Sequence, residues 1–351
     1  MEIMRPDLTG VPTNVLEYIQ ALEAQIAEQE KGSDNTKRRA ETILEPSEPP
    51  TTIQVISLSK RGYAKRTPRH LYVRQRRSGM GVFDLECPDD ESPTHLIIAE
   101  LEDSLIVVTT EARAFRLPVS KIVETEVRGR GESILGDFPL KDGENLALAF
   151  AANGGASHGI DGSYVVLVSQ RGQVRRIASH YLGEGLQPGT VLYNIAEGGP
   201  PAAACWSTGG QDLFLVTKAG QAIRFAEKQV PVRGCLGMRV SPTDEIVGVA
   251  AASADGGVLM VTEDGKGTIR LMAGFSANKS PGAGGKVGIK SDVVIGASAV
   301  GPNDDIFIIS RLGKIIRFQA NEIPAKEGVV QGVSCMSLRA DECTALTTTV
   351  L

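Results

Sequence analysis

Aromatic side chains make up only 5% of the 351 residues, and there is a single tryptophan, Trp206. The five cysteines (Cys87, Cys205, Cys235, Cys335, Cys343) are scattered, odd in number and never spaced as C-x-x-C. That excludes a disulfide framework and a zinc signature, and it suits a reducing compartment. The four histidines are dispersed without ligand spacing, so no metal or other cofactor is expected. His70 sits inside a basic stretch; His95, His158 and His180 read as surface or structural residues. No apolar run approaches membrane-spanning length, and the N-terminus does not open with a basic region followed by an apolar one. A cytoplasmic protein without membrane contact is the expectation. Two catalytic-looking matches fail on context. The G-x-S-x-G at Gly155–Gly159 lies in a glycine-rich loop with no helix after it, whereas that chemistry needs a sharp strand-to-helix turn. The stretch 282–286 faintly resembles a phosphate-binding loop, but Ser280 stands for its first glycine and Val287 follows Lys286 where Ser or Thr is required. No catalytic constellation remains, and an enzyme is not expected.

Glycine is abundant, at 39 residues, and short apolar runs recur. From Thr52 onward six segments share one pattern: an apolar strand, Ser or Thr, two residues, Gly, and a strand carrying Arg. They are VISLSKRGYAKR, IVVTTEARAFR, VVLVSQRGQVRR, LFLVTKAGQAIR, LMVTEDGKGTIR and IFIISRLGKIIR. The aligned hydroxyl residues are Ser59, Thr109, Ser169, Thr217, Thr262 and Ser310, and the aligned glycines are Gly62, Gly172, Gly220, Gly265 and Gly313, with Ala112 as the exception. Seven residues after the hydroxyl come Arg66, Arg116, Arg176, Arg224 and Arg317; in the fifth repeat one inserted residue is expected to move the Arg to Arg270. Each unit reads as a β-hairpin with glycine supplying positive φ at the turn. A loop of glycine and basic residues, a short strand, an acidic turn and an apolar strand follow. The spacing suits four-stranded propeller blades, and six of them closed radially would bury one another's faces. The fold class is therefore all-β, a six-bladed propeller over residues 52–351. It is preceded by an amphipathic helix within 1–32, where Val15, Ile19, Leu22 and Ile26 form one stripe, and by a polar linker over 33–51. The helix would dock on its own domain, dimerise two propellers or dock on a partner, so monomer and dimer both stay open.

The net charge is −5, and residues 51–351 hold 32 basic and 32 acidic side chains. Against this balance, KRGYAKRTPRHLYVRQRRSGMG at 60–81 gathers Lys60, Arg61, Lys65, Arg66, Arg69, Arg74, Arg76 and Arg77 with no acid from Thr51 to Phe83. Such a patch most often meets phosphate backbones. The repeated Arg has a competing structural reading, as the partner of an acid in its own or the next blade.

Together the repeats and this stretch resemble the C-terminal DNA-wrapping domain of bacterial DNA gyrase A, which is a six-bladed β-pinwheel. That family carries Gln-Arg-Arg-Gly-Gly-Lys-Gly in its first blade; here Gln75-Arg76-Arg77-Ser78-Gly79-Met80-Gly81 matches five of seven positions. Weaker echoes are Arg233-Gly-Cys-Leu-Gly-Met-Arg239, Pro281-Gly-Ala-Gly-Gly-Lys286 and Gln331-Gly332-Val333. Met80 and Ser78 depart from the box. Nothing resembles the gyrase cleavage domain, so a stand-alone wrapping domain is expected. The resemblance implies a non-catalytic, nucleoid-associated protein that bends or wraps double-stranded DNA, architectural or accessory to a type II topoisomerase core. The expected DNA contacts are Gln75 and the cations of 60–77, then Arg116, Arg176, Arg224, Arg233, Arg239, Lys286, Lys314 and Arg317. The rival reading is a protein-interaction propeller whose DNA surface has decayed.

Overall fold

The computed structural model describes residues 48–349 apart from 89, 137, 153–162, 278 and 292, together with Val15 and Ile19. Apart from Val15 and Ile19, the expected N-terminal helix lies outside the described residues, as do most of the linker and the Gly155–Gly159 loop.

The six expected hairpins form, each with the same turn. In every repeat the Ser or Thr hydroxyl accepts a hydrogen bond from the N–H four residues on, as in Ser59 with Tyr63 (3.0 Å), Ser169 with Gln173 (3.1 Å) and Ser310 with Lys314 (3.1 Å). The glycine three residues on has φ between +77° and +86°, and Ala112 takes the same left-handed conformation at +55°. Its N–H returns to the Ser or Thr carbonyl, as Gly172 does to Ser169 at 2.9 Å. The repeated Ser-x-x-Gly is therefore a turn device, and its hydroxyls are buried.

Blade three shows the common plan: Pro201–Ser207 innermost, then Tyr164–Ser169, Gln173–Ala178 and, outermost, Cys235–Leu236. The second strand is buried on both sides because blades stack face to face, which is why it reads as an unbroken apolar run. Next to the turn hydroxyl, the pairing of each second strand with its innermost neighbour contains a register shift. A hydrophobic cluster fills each junction between blades, for example Phe214, Val258, Met260 and Phe275 between blades four and five. The innermost strands follow one another around a channel of about 830 Å³, lined by Ile97, Ala149, Ala204 and Ala297 among others. Pro93–Glu100 lies beside both Leu146–Ala151 and Cys343–Thr348, so the ring is closed.

The outermost strand is where the architecture exceeds the sequence pattern. Each blade takes it from the next repeat: Glu132–Ser133 completes blade one, Thr190–Val191 blade two, Cys235–Leu236 blade three, Lys286–Val287 blade four and Val333–Ser334 blade five. Blade six takes Val82–Phe83 from the first repeat, which pairs with Ile315 and Lys314. Every junction is thereby crossed by the chain, including the one between the two ends of the propeller.

Candidate nucleic-acid interface

The box and its echoes are the segments that carry these exchanged outer strands. Gln75–Gly81 leads into Val82–Phe83, and the segments ending at Arg239, Lys286 and Val333 hold Cys235–Leu236, Lys286–Val287 and Val333–Ser334. Consecutive segments are hydrogen-bonded to one another. Arg239 N donates to Ala283 O (3.0 Å) and Gly282 N to Gly237 O (2.9 Å); Ser78 N donates to Cys335 O (2.8 Å) and Ser337 N to Gly79 O (2.9 Å). They make a belt outside the blades. Two box positions are shaped by this. Gly81 has φ +69°, and a Cβ there would stand 2.7 Å from Ile315 O. Ser78 is held at φ +67°, costly for a residue with a Cβ, while its hydroxyl donates to Ser334 O at 2.8 Å.

Most of the basic stretch is used internally, by acids that lie outside it in the sequence. Lys65 is fully buried, with its Nζ 2.6 Å from Asp84, beside Tyr72 and Ser57, which donate to the same carboxylate. Burial pushes the Lys65 ammonium below its ordinary value and Asp84 above its own, against their mutual attraction. Arg66 binds Glu124 and donates to Ile122 O at 2.9 Å. Arg69 is buried on Glu48 (2.8 Å), Arg74 pairs with Asp305 (2.8 Å), and exposed Arg61 pairs with Asp90. Gln75 is tied by its N–H to Arg317 O at 2.7 Å. The charges of Lys65, Arg66 and Arg69 are thus met by Asp84, Glu124 and Glu48.

The repeated arginines have partners inside the propeller, the arrangement that the structural reading anticipates. Each reaches the 3-10 turn of the next blade. Arg66 reaches Ile122 O, Arg116 donates to Leu182 O (3.0 Å), and Arg176 stands 3.7 Å from Glu227 and over the Tyr164 ring. Arg224, bonded to Asp212 at 2.7 Å, donates to Met272 O (2.5 Å) and Phe275 O (3.0 Å). Arg317 closes the series: held by Asp305 and Glu48, it donates to Arg69 O (3.0 Å) and Tyr72 O (2.9 Å) of blade one. Saturating the turn carbonyls of the next blade is work that a planar guanidinium with five donors does well.

The fifth repeat departs, and not by an insertion. Val261 pairs with Gly267 across a turn of the same length as Leu58 with Ala64, and Ile269 fills the aligned place opposite Leu259. Arg270 is one residue further on, facing the other side of its strand. The +8 offset in the sequence already carries that signal, since successive strand residues face opposite sides.

What remains at the surface is on the belt and the turns. Arg76, Arg233 and Arg239 are exposed with no ion pair or hydrogen bond to their side chains among the described residues; half-buried Arg77 donates its N–H to Glu322 (2.9 Å) and its guanidinium to Ser334 O (3.1 Å). Lys60 is exposed on its turn. Half-buried Lys314 lies over the Phe83 ring at 5.2 Å, and half-buried Lys286 over Phe275 at 4.1 Å. Among the described residues no cluster of His, Cys, Asp and Glu could hold a metal, and no helix is long and apolar enough to cross a membrane.

The family model described as DNA gyrase C-terminal domain, beta-propeller, matches residues 54–91, 103–153, 211–253 and 304–342. Among curated proteins, the DNA gyrase A protein of Pseudomonas aeruginosa is 24% identical over 82% of this chain and 36% of its own length. The corresponding figures for Escherichia coli K12 are 25%, 82% and 33%, and for Staphylococcus epidermidis 25%, 92% and 39%. The chain thus spans little more than a third of these relatives. A solved DNA gyrase A C-terminal domain superposes with a TM-score of 0.74 at 20% identity, covering 85% of this chain and all of that one. The C-terminal domain of DNA topoisomerase IV gives 0.56 at 18%, over 84% and 93%. Six blades, their repeats and these matches agree: the chain has the fold of the DNA gyrase A C-terminal domain and resembles that domain in sequence.

Proposed function

We propose that this propeller is a non-catalytic DNA-binding module that bends double-stranded DNA along its outer belt and works beside a type II topoisomerase core. One observation carries the reading. The box arginine Arg76 is exposed with no side-chain partner among the described residues, and the half-buried guanidinium of Arg77 meets only Ser334 O, while nearly every other cation around them is consumed internally. Arg233, Arg239 and Lys286 continue the path on later belt segments, and Lys60 and Lys314 flank it. Phosphate contacts give register and affinity without sequence information. Bending 20–30 bp costs roughly 1–6 kcal/mol, so several spaced contacts are required to offset it. The chain's overall charge balance makes the binding weak at physiological salt.

Retention of a linear duplex across a salt series tests this. Log affinity should fall linearly with log salt, and Arg76→Glu with Arg77→Glu should lower the slope by about 2 while leaving the fold intact. Unchanged affinity in that variant would remove the box from the interface. A second reading rests on the exposed apolar residues of the belt, Phe83, Val191, Val232 and Val287, which suit a protein partner. Wild-type protein that fails to retain DNA at low salt would favour it.

A further inference from the structure

Arg270 occupies a place that is otherwise apolar or small. Its equivalents, one residue beyond the repeated Arg, are Thr67, Leu117, Ile177, Phe225 and Phe318. It is 5% exposed, and its Nε and Nη1 have no hydrogen-bond partner among the described residues; Nη2 reaches Gly274 O only at 3.5 Å. No acid among the described residues pairs with it: Glu327 packs beside Gly274 without engaging the guanidinium. Both Arg270 (5.5 Å) and Lys286 (4.1 Å) stand over the ring of Phe275. Lys279 donates to Gly284 O (2.7 Å) and Gly285 O (3.1 Å), and Lys286 to Ser276 O only at 3.5 Å, so neither ammonium meets a carboxylate among the described residues. Arg224, close by, has Asp212. Burial, then Arg270, Lys279 and Arg224, push the Lys286 ammonium below its ordinary value, the mark of a positive field left unneutralised. A buried, unpaired cation is expensive, and a bound anion removes that cost.

We propose that the junction of blades four and five is an anion site in which Arg270, Lys286 and Lys279 take one phosphate group. Lys286 yields its long bond to Ser276 O to admit it, and the guanidinium supplies the two donors that now lack acceptors. The group comes either from the backbone of belt-bound DNA, in which case the site deepens the function proposed above, or from free phosphate.

The test uses the full chain, wild type and Arg270→Met, in two arms. In the first, melting is compared in inorganic phosphate and in chloride at equal ionic strength. Phosphate should raise the wild-type midpoint, and Arg270→Met should lose that rise while staying folded, because a thioether suits the apolar place. In the second, duplex retention is measured in both proteins. If DNA supplies the group, Arg270→Met weakens retention about tenfold and lowers the salt slope by about 1. Loss of the phosphate response with unchanged DNA retention identifies free phosphate as the source. The site stands on the first arm even if wild-type protein retains no DNA, so failure of the DNA reading is separately visible. No phosphate response in wild type together with equal DNA retention in both proteins overturns the proposal, as does an equal phosphate response in both.

Discussion

Two junctions of this ring gather arginines, three at one and two at the other, and treat them differently. Where blade six meets blade one, Arg317 and Arg69 converge on Glu48, Arg317 and Arg74 share Asp305, and two turn carbonyls complete the set. Where blade four meets blade five, Arg224 has Asp212 but Arg270 has no counter-charge among the described residues. Burial of a cation is common to both, so burial alone does not say what an arginine does. The deciding quantity is whether the chain itself supplies the counter-charge. Where it does, the arginine belongs to the fold. Where it does not, the arginine costs stability unless something outside the chain completes it.

The comparison breaks most visibly at Arg317. Arg317→Met leaves Asp305 and Glu48 partly uncompensated inside the closing junction and should cost about 3–5 kcal/mol in denaturant unfolding. A loss under about 1 kcal/mol would mean the junction does not hold the ring. Glu48→Gln, which keeps the shape and removes the charge, should cost about 1–2 kcal/mol at neutral pH. Burial works against the Glu48 carboxylate, but the bonds from Arg69 and Arg317 outweigh it and hold the group below its ordinary 4.5. Its contribution is therefore present above that value and lost as pH falls through the lowered one. The stability gap between wild type and Glu48→Gln should close on acidification; a constant gap would contradict the ion-pair assignment. At the other junction the same replacement should act with opposite sign. Arg270→Met in phosphate-free buffer should raise stability by roughly 1 kcal/mol, because it removes a buried charge that nothing balances. A loss like that of Arg317→Met would show that Arg270 has an internal partner after all.

The sequence reaches the fold because its repeats are carried by residues with one mechanical job. Ser169 and Gly172 and their equivalents recur because the turn requires a buried acceptor and a left-handed residue, and six such turns announce six blades. The exchanged outer strands are not legible. Cys235–Leu236 and Val82–Phe83 are two residues long, too short to show a period or to reveal which hairpin they join. The site is legible in part for a related reason. The stretch 60–81 looks unpaired because its acids arrive from far away, Arg74 being met by Asp305, 231 residues on. Pairing across a closed ring leaves no local trace. Glu48 is hidden in the same way, inside a segment that reads as a linker.

The belt's role is tested most directly by DNA topology. Nicked plasmid is incubated with the protein at low salt, the nick is sealed, the protein is stripped, and the linking number is read on a gel. The expected result is a shift of one sign that grows with protein, is lost when Arg76, Arg77, Arg233 and Arg239 are changed to Glu, and survives Arg116→Gln. Retarded plasmid with no shift at any protein level would contradict bending along the belt, and a shift that survives the four belt changes would place the DNA elsewhere on the propeller.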